Sequence, residues 1–308
     1  DMYYRHAASY FVSHPGAAAG YLVSDRRLQR PSGILGPLFP VYICDPEGQP
    51  GGEDSGAPKG CEEVEKAGLT PSFYKGDRSL RESGFDITFK FGPFGNATDD
   101  YAALGLNCLL YREEEDLAWM SRELHKPADA QKWLDAAQLR RERIDHYFWN
   151  PQRGLYFDYN FKSGKQSSYF YATTFYPLWA GASSPTQAAA VIKNLKVFDE
   201  PGGIVMSRTQ SGGQWDYPYG WAPIQLIAID GLRRYGDRSD ADHISQQFLT
   251  MVNENFLRDH TIREKYNVVT RSSETQVKVG YSKNQVGFGW TNGVFVTLLH
   301  SELRLPAH

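Results

Sequence analysis

The sequence predicts an all-α fold of helical hairpins, and three observations predict it. Residues 240–257 carry Ile244, Phe248, Val252 and Phe256 at every fourth position, with Leu249 widening the stripe. Residues 129–147 form a second amphipathic stretch, entered through Pro127 and bearing Trp133, Ala137, Ile144 and Phe148. Nowhere does the chain repeat a strand–helix–strand alternation, so a parallel sheet is not expected. At 308 residues, 41% hydrophobic and 22% charged, the composition is that of a globular chain long enough to bury a large core.

Taken in order, residues 31–79 are a long loop, because Gly48, Pro50, Gly51, Gly52, Gly56, Pro58 and Gly60 crowd a stretch with no sustained periodicity. Beyond residue 97 the pattern turns helical, over 99–124, 129–147, 186–195, 222–235, 240–257 and 290–303. The 222–235 segment closes on Arg233 and Arg234, which favour a helix C-terminus, followed by Gly236 as a cap. Between helices lie loops rich in aromatic and acidic residues: Asp158-Tyr159, 171–176, Pro201–Gly203 and 214–218. A ring of helical hairpins would gather such loops at one mouth. The expected organisation is one domain over 1–308.

Charge excludes several partner classes. Lys+Arg 33 against Asp+Glu 36 gives a net charge of -3, so no nucleic-acid or membrane partner is expected, since both attract a basic face. No apolar run approaches the ~18 residues of a membrane span, and Asp1–Arg5 shows no basic-then-apolar leader pattern; the compartment is left open. Cys44, Cys61 and Cys108 lack metal-ligand spacing. Neither a metal nor a disulfide framework is expected, although a Cys44–Cys61 bridge across the Gly-rich loop is a second reading.

Aromatic residues make up 14% of the chain, with Trp 7, Tyr 19 and Phe 17. Two readings fit: a large core, or faces on which sugar rings pack, because axial C–H groups present an apolar surface to a π-system. If a sugar is cleaved, two carboxyl groups must flank the bond, one protonated to release the leaving oxygen and one ionised to activate water.

Four segments hold candidates. In 81–86, Asp86 follows Gly84 and lies between Phe85 and Phe89, apolar surroundings that would raise its pKa and suit a general acid; the alternative is a turn cap. In 261–267, Glu264 sits between Arg263 and Lys265, whose charge favours the ionised form and suits a general base; the alternative is a solvated face. In 212–223, Gln214, Trp215, Asp216 and Trp221 lie in a dense aromatic run. Asp216 either binds hydroxyls or caps the helix at 222, and the two tryptophans either stack on a ring or fill the core. In 285–293, glycines permit close backbone approach, and Trp290 and Asn292 either face a ligand or make a packing corner.

In this order the segments resemble the trehalases, an inverting glycoside hydrolase family (family 37) whose fold is an (α/α)6 toroid. The likeness rests on residues 82–86, Leu106-Asn107, Pro201–Gly203, 214–218 with 220–223, 264–266 and 287–293, and spans 71–295. It implies a hydrolase that splits α,α-trehalose into two glucoses, with no cofactor. Asp86 is then the general acid and Glu264 the general base, standing ~6.5–9.5 Å apart as inversion requires. It further implies substrate-binding roles for Ser83, Gly84, Gln214, Trp215, Asp216, Trp221 and Trp290.

The sequence departs from the family at Lys90, where Arg is usual, at Tyr219, where Asn is usual, and at Asn267, where Asp is usual; Lys cannot reproduce the two-pronged hydrogen bonding of Arg. The glycine-rich run that precedes the last segment in the family is not recognisable at 279–281, and the first Trp is Trp119, so the family's upstream Trp-Asp signature has no counterpart. The expectation is a toroid incomplete at its N-terminal side, with apolar helix faces exposed. The rival readings are a related α-glycosidase acting on another small α-linked glycoside, and a sugar-binding protein without turnover.

Overall fold

The computed structural model describes residues 22–23, 68–69, 71–280 and 283–302. Eight α-helices are present among them: α1 (Pro71–Glu82), α2 (Leu104–Glu123), α3 (Pro127–Phe148), α4 (Tyr176–Ala180), α5 (Pro185–Lys193), α6 (Ala222–Arg234), α7 (Arg238–Asp259) and α8 (Gly289–Glu302). The strands are segments of two or three residues, paired in the connections. The described residues are thus mostly helical, as the periodicity predicts. The Cys44–Cys61 reading lies outside the described residues, and Cys108 is a buried free thiol.

The described residues divide into two compact units. One takes in 71–100, 211–215 and 276–280, with the paired strands β1 (Leu22–Val23) and β2 (Gly68–Leu69); the other takes in 101–210, 216–275 and 283–302.

The first unit contains a correction. Helix α1 occupies the end of the stretch expected to be loop. Its sequence holds Phe73, Tyr74, Gly76, Asp77 and Leu80 on a buried face, a helical spacing that Pro71 and the glycines upstream obscured. Gly76 is needed there, because a Cβ would collide with the Asn96 backbone.

In the second unit, α2 packs on α3, α6 on α7 and on α4, and α8 on both α6 and α7. Local chemistry sets the ends. Pro127 and Pro185 occupy first turns, and Ser184 and Gln187 form a reciprocal capping box. The Asp237 side chain accepts from the Asp240 N–H at 3.2 Å, and Gly236 adopts φ 86° just past α6. Asp158 reaches from a loop to accept from the Leu104 N–H at 2.8 Å, serving α2 in place of a local cap.

The α7 stripe is buried through Ile244, Phe248 and Val252, whereas Phe256 is 40% exposed. Helix α2 exposes Leu106, Leu109, Trp119 and Met120. Among the described residues, Phe73, Phe91, Phe94, Phe175, Phe198, Trp221, Phe248 and Tyr266 are almost fully buried. Phe248→Ala should lower unfolding stability by about 3–5 kcal/mol through loss of transfer energy and the cavity left. Equilibrium denaturation in urea measures this, and a change under about 1 kcal/mol would contradict the core assignment.

Candidate functional site

The four candidate segments fall in both units, and each half is built by its own local logic.

In the first unit, α1 ends at Glu82, and Ser83 turns its hydroxyl back to donate to the Leu80 carbonyl at 2.6 Å. Gly84 follows at φ 80°, a left-handed turn that a side chain would strain. This turn delivers Phe85 and Asp86, both half-buried. The segment 211–215 holds the delivered stretch from its other side. The Gln214 carboxamide donates to the Asp86 carbonyl, the Trp215 N–H donates to the Ile87 carbonyl at 3.1 Å, and the Phe85 and Trp215 rings meet edge to face at 5.2 Å. Gln214 and Trp215 are themselves buried. Lys90 is buried too, its ammonium 4.9 Å from the Phe85 ring centre and 4.5 Å from that of Phe91. The Asp86 backbone is thus held by Gln214, next to the Phe85–Trp215 contact.

In the second unit, the loops 171–176 and 201–203 are each bonded to a neighbouring segment. Ala172 N–H donates to the Met206 carbonyl at 2.8 Å, Met206 N–H to that of Tyr219 at 2.9 Å, and Gly202 N–H to that of Val268 at 2.7 Å. Buried Gln225, on α6, presents its carboxamide to both Ile204 backbone groups, at 2.7 Å each. Strands β3 (Tyr219–Trp221) and β4 (Lys265–Asn267) pair antiparallel, with Trp221 opposite Lys265.

Glu264 immediately precedes β4 and is 2% exposed. The solvated-face alternative therefore fails. Its Oε2 accepts from Lys265 Nζ at 3.1 Å, and Lys265 is itself fully buried, so each charge compensates the other's loss of water. The Lys265 ammonium also lies 5.4 Å from the Trp221 ring centre. The Glu264 backbone is held at both ends. Its N–H donates to the Gln285 carbonyl at 2.9 Å, and its carbonyl accepts from Trp290 Nε1 at 3.2 Å and Thr291 Oγ1 at 3.3 Å. Upstream, the Asp259 carboxyl is held below its ordinary range, chiefly by the Thr261 hydroxyl at 2.6 Å and then by the Thr261 N–H and nearby Arg263 and Arg258.

The residue before α6, Trp221, gives that helix no side-chain cap. Asp216 is fully buried and lies near Tyr169, whose hydroxyl is pushed up by burial first and by the Asp216 charge second. Trp221 has no exposed surface and meets Trp290 edge to face at 5.6 Å, which is core filling. Gly287, Gly289 and Gly293 have open space where a Cβ would lie, so close approach by the chain's own backbone does not explain them.

Sequence reasoning named Lys265 as a flanking charge but missed Asn284 and Gln225 altogether. A lone amide in a polar loop carries no local signal; its role exists only through distant backbone groups.

Residues 57–302 match the family model described as Trehalase. A cytosolic neutral trehalase of Kluyveromyces lactis is 35% identical over 254 residues, which cover 73% of this chain and 33% of that protein. Among solved structures, the neutral trehalase Nth1 from Saccharomyces cerevisiae matches with 34% identity and a TM-score of 0.64, over 74% of this chain and 42% of that one. A mannosylglycerate hydrolase from Thermus thermophilus shares the fold at 18% identity and a TM-score of 0.51, over 65% of this chain and 45% of that one. The helical hairpins thus have the α/α-toroid class of fold. The chain spans about a third of the length of the curated relatives it matches.

Proposed function

Since this chain belongs to the trehalase family, we propose that it serves in the hydrolysis of α,α-trehalose to two glucose molecules, with inversion at the attacked carbon. The observation that carries the reading is Glu264: a buried carboxylate, ion-paired to a buried lysine and pinned through its backbone from both sides, beside the strand that pairs with Tyr219–Trp221.

The roles follow from the chemistry. Asp86 donates a proton to the glycosidic oxygen as the bond to the anomeric carbon breaks. Glu264 takes a proton from the water that forms the new bond at that carbon, and the leaving glucose departs as a neutral alcohol. Trp215 offers an aromatic edge beside the acid, and Gln214 holds the backbone from which the acid projects. No metal or organic cofactor enters this scheme.

Inversion predicts the product. The attacked glucose should appear as the β-anomer and the departing one as the α-anomer, in equal early amounts. A proton NMR time course reads this directly; early release of α-glucose alone would exclude inversion.

Lys90 and Tyr219, where the chain departs from its family, favour one second reading, a related hydrolase with altered sugar preference. Glucose release by the purified chain from trehalose, maltose and sucrose separates the cases. Release from trehalose supports the proposal, release from maltose alone supports the rival, and binding of trehalose without release supports a sugar-binding protein.

A further inference from the structure

We infer that Asn284 is the residue that positions the candidate base, an inference that rests on the role proposed above for Glu264. The Asn284 carboxamide takes both backbone groups of Lys265: its Oδ1 accepts from the Lys265 N–H at 3.2 Å, and its Nδ2 donates to the Lys265 carbonyl at 2.8 Å. The same Nδ2 donates to the Ser273 carbonyl at 2.7 Å, tying the turn after β4 to the strand's start. A side-chain amide presents the same donor and acceptor as a peptide, so Asn284 acts as a one-residue strand edge.

Its neighbours extend the edge in register. Gln285 O accepts from the Glu264 N–H at 2.9 Å, Gly287 N–H donates to Ile262 O at 2.8 Å, and the Asn284 carbonyl accepts from Arg263 Nη1 at 3.2 Å. Every residue from Ile262 to Lys265 is therefore gripped by 284–287, and Asn284 holds Lys265, whose ammonium in turn grips the Glu264 carboxylate. Loss of the amide frees the backbone on which both members of the ion pair are mounted. Asn284 touches no reacting atom in this scheme; it acts through Glu264.

Misplacement of a reacting group by about 1 Å is enough to cost ~100-fold in rate. In the full chain, Asn284→Ala should therefore lower kcat for trehalose by roughly 100-fold while KM stays within about twofold. Asn284→Asp, nearly the same in shape, keeps the acceptor, loses both donations, and should act in the same direction. The decisive comparison is additivity. Placed on Glu264→Gln, Asn284→Ala should cost nothing further, because two residues acting through one step are not independent. Unchanged kcat in a folded Asn284 variant, or full additivity in the double variant, would overturn the inference. If the wild-type chain releases no glucose, the functional reading fails first. Amide exchange then decides Asn284 separately: faster exchange confined to 263–266 in Asn284→Ala supports positioning, and unchanged or uniformly faster exchange refutes it.

Discussion

Glu264→Gln is expected to reduce kcat for trehalose by about 10²–10⁴-fold, because it removes the only group assigned to accept the proton of the attacking water. Glutamine keeps the shape and can still accept from Lys265 Nζ, the partner that now sits 3.1 Å from Oε2. What it cannot do is balance the lysine's charge in a buried site, and removing one member of a buried ion pair is itself destabilising, by about 3–5 kcal/mol when nothing compensates. Thermal melts and circular dichroism must accompany the kinetics. A well-folded variant with near-normal turnover would remove Glu264 from the mechanism.

Asp86→Asn should produce a loss of similar size on trehalose, whose leaving glucose must be protonated as it departs. The two variants part company on a substrate that needs no such help. α-Glucosyl fluoride leaves as fluoride, so Asp86→Asn should recover most of its rate there, whereas Glu264→Gln should remain inactive. Equal loss on both substrates in Asp86→Asn would show that residue 86 binds or orients rather than donating a proton. Folding is at little risk, since Asp86 is half-buried and the substitution leaves in place the backbone carbonyl that Gln214 holds.

The product anomer reports the chemistry of the attack, whereas the Asn284 variants report how the base is held.

Much of the helical framework was legible without coordinates. The stripe Ile244, Phe248, Val252 lies buried on α7, and Pro127 opens α3, because a 3.6-residue repeat and a proline in the first turn are local properties of the chain. Helix α1 was hidden by its glycine and proline context, and its buried face is visible only once Phe73 and Leu80 are seen to be enclosed. Asp216 shows what the sequence left open: a hydroxyl-binding role and a helix cap both fitted its position, and its complete burial came only with the fold.

Among the candidate residues, Gln214 and Trp215 stood out in a locally dense aromatic run, whereas Asp86 and Glu264 were given their roles by the resemblance to a family. Their settings were not legible. That Glu264 is enclosed rather than solvated, that Lys265 turns inward to meet it, and that a lone asparagine further along the chain holds the strand beneath them all depend on groups remote in sequence. Local sequence determines which backbone shapes are cheap. Burial and hydrogen-bond partnership are decided by what folds over them, so only the tertiary structure could assign them.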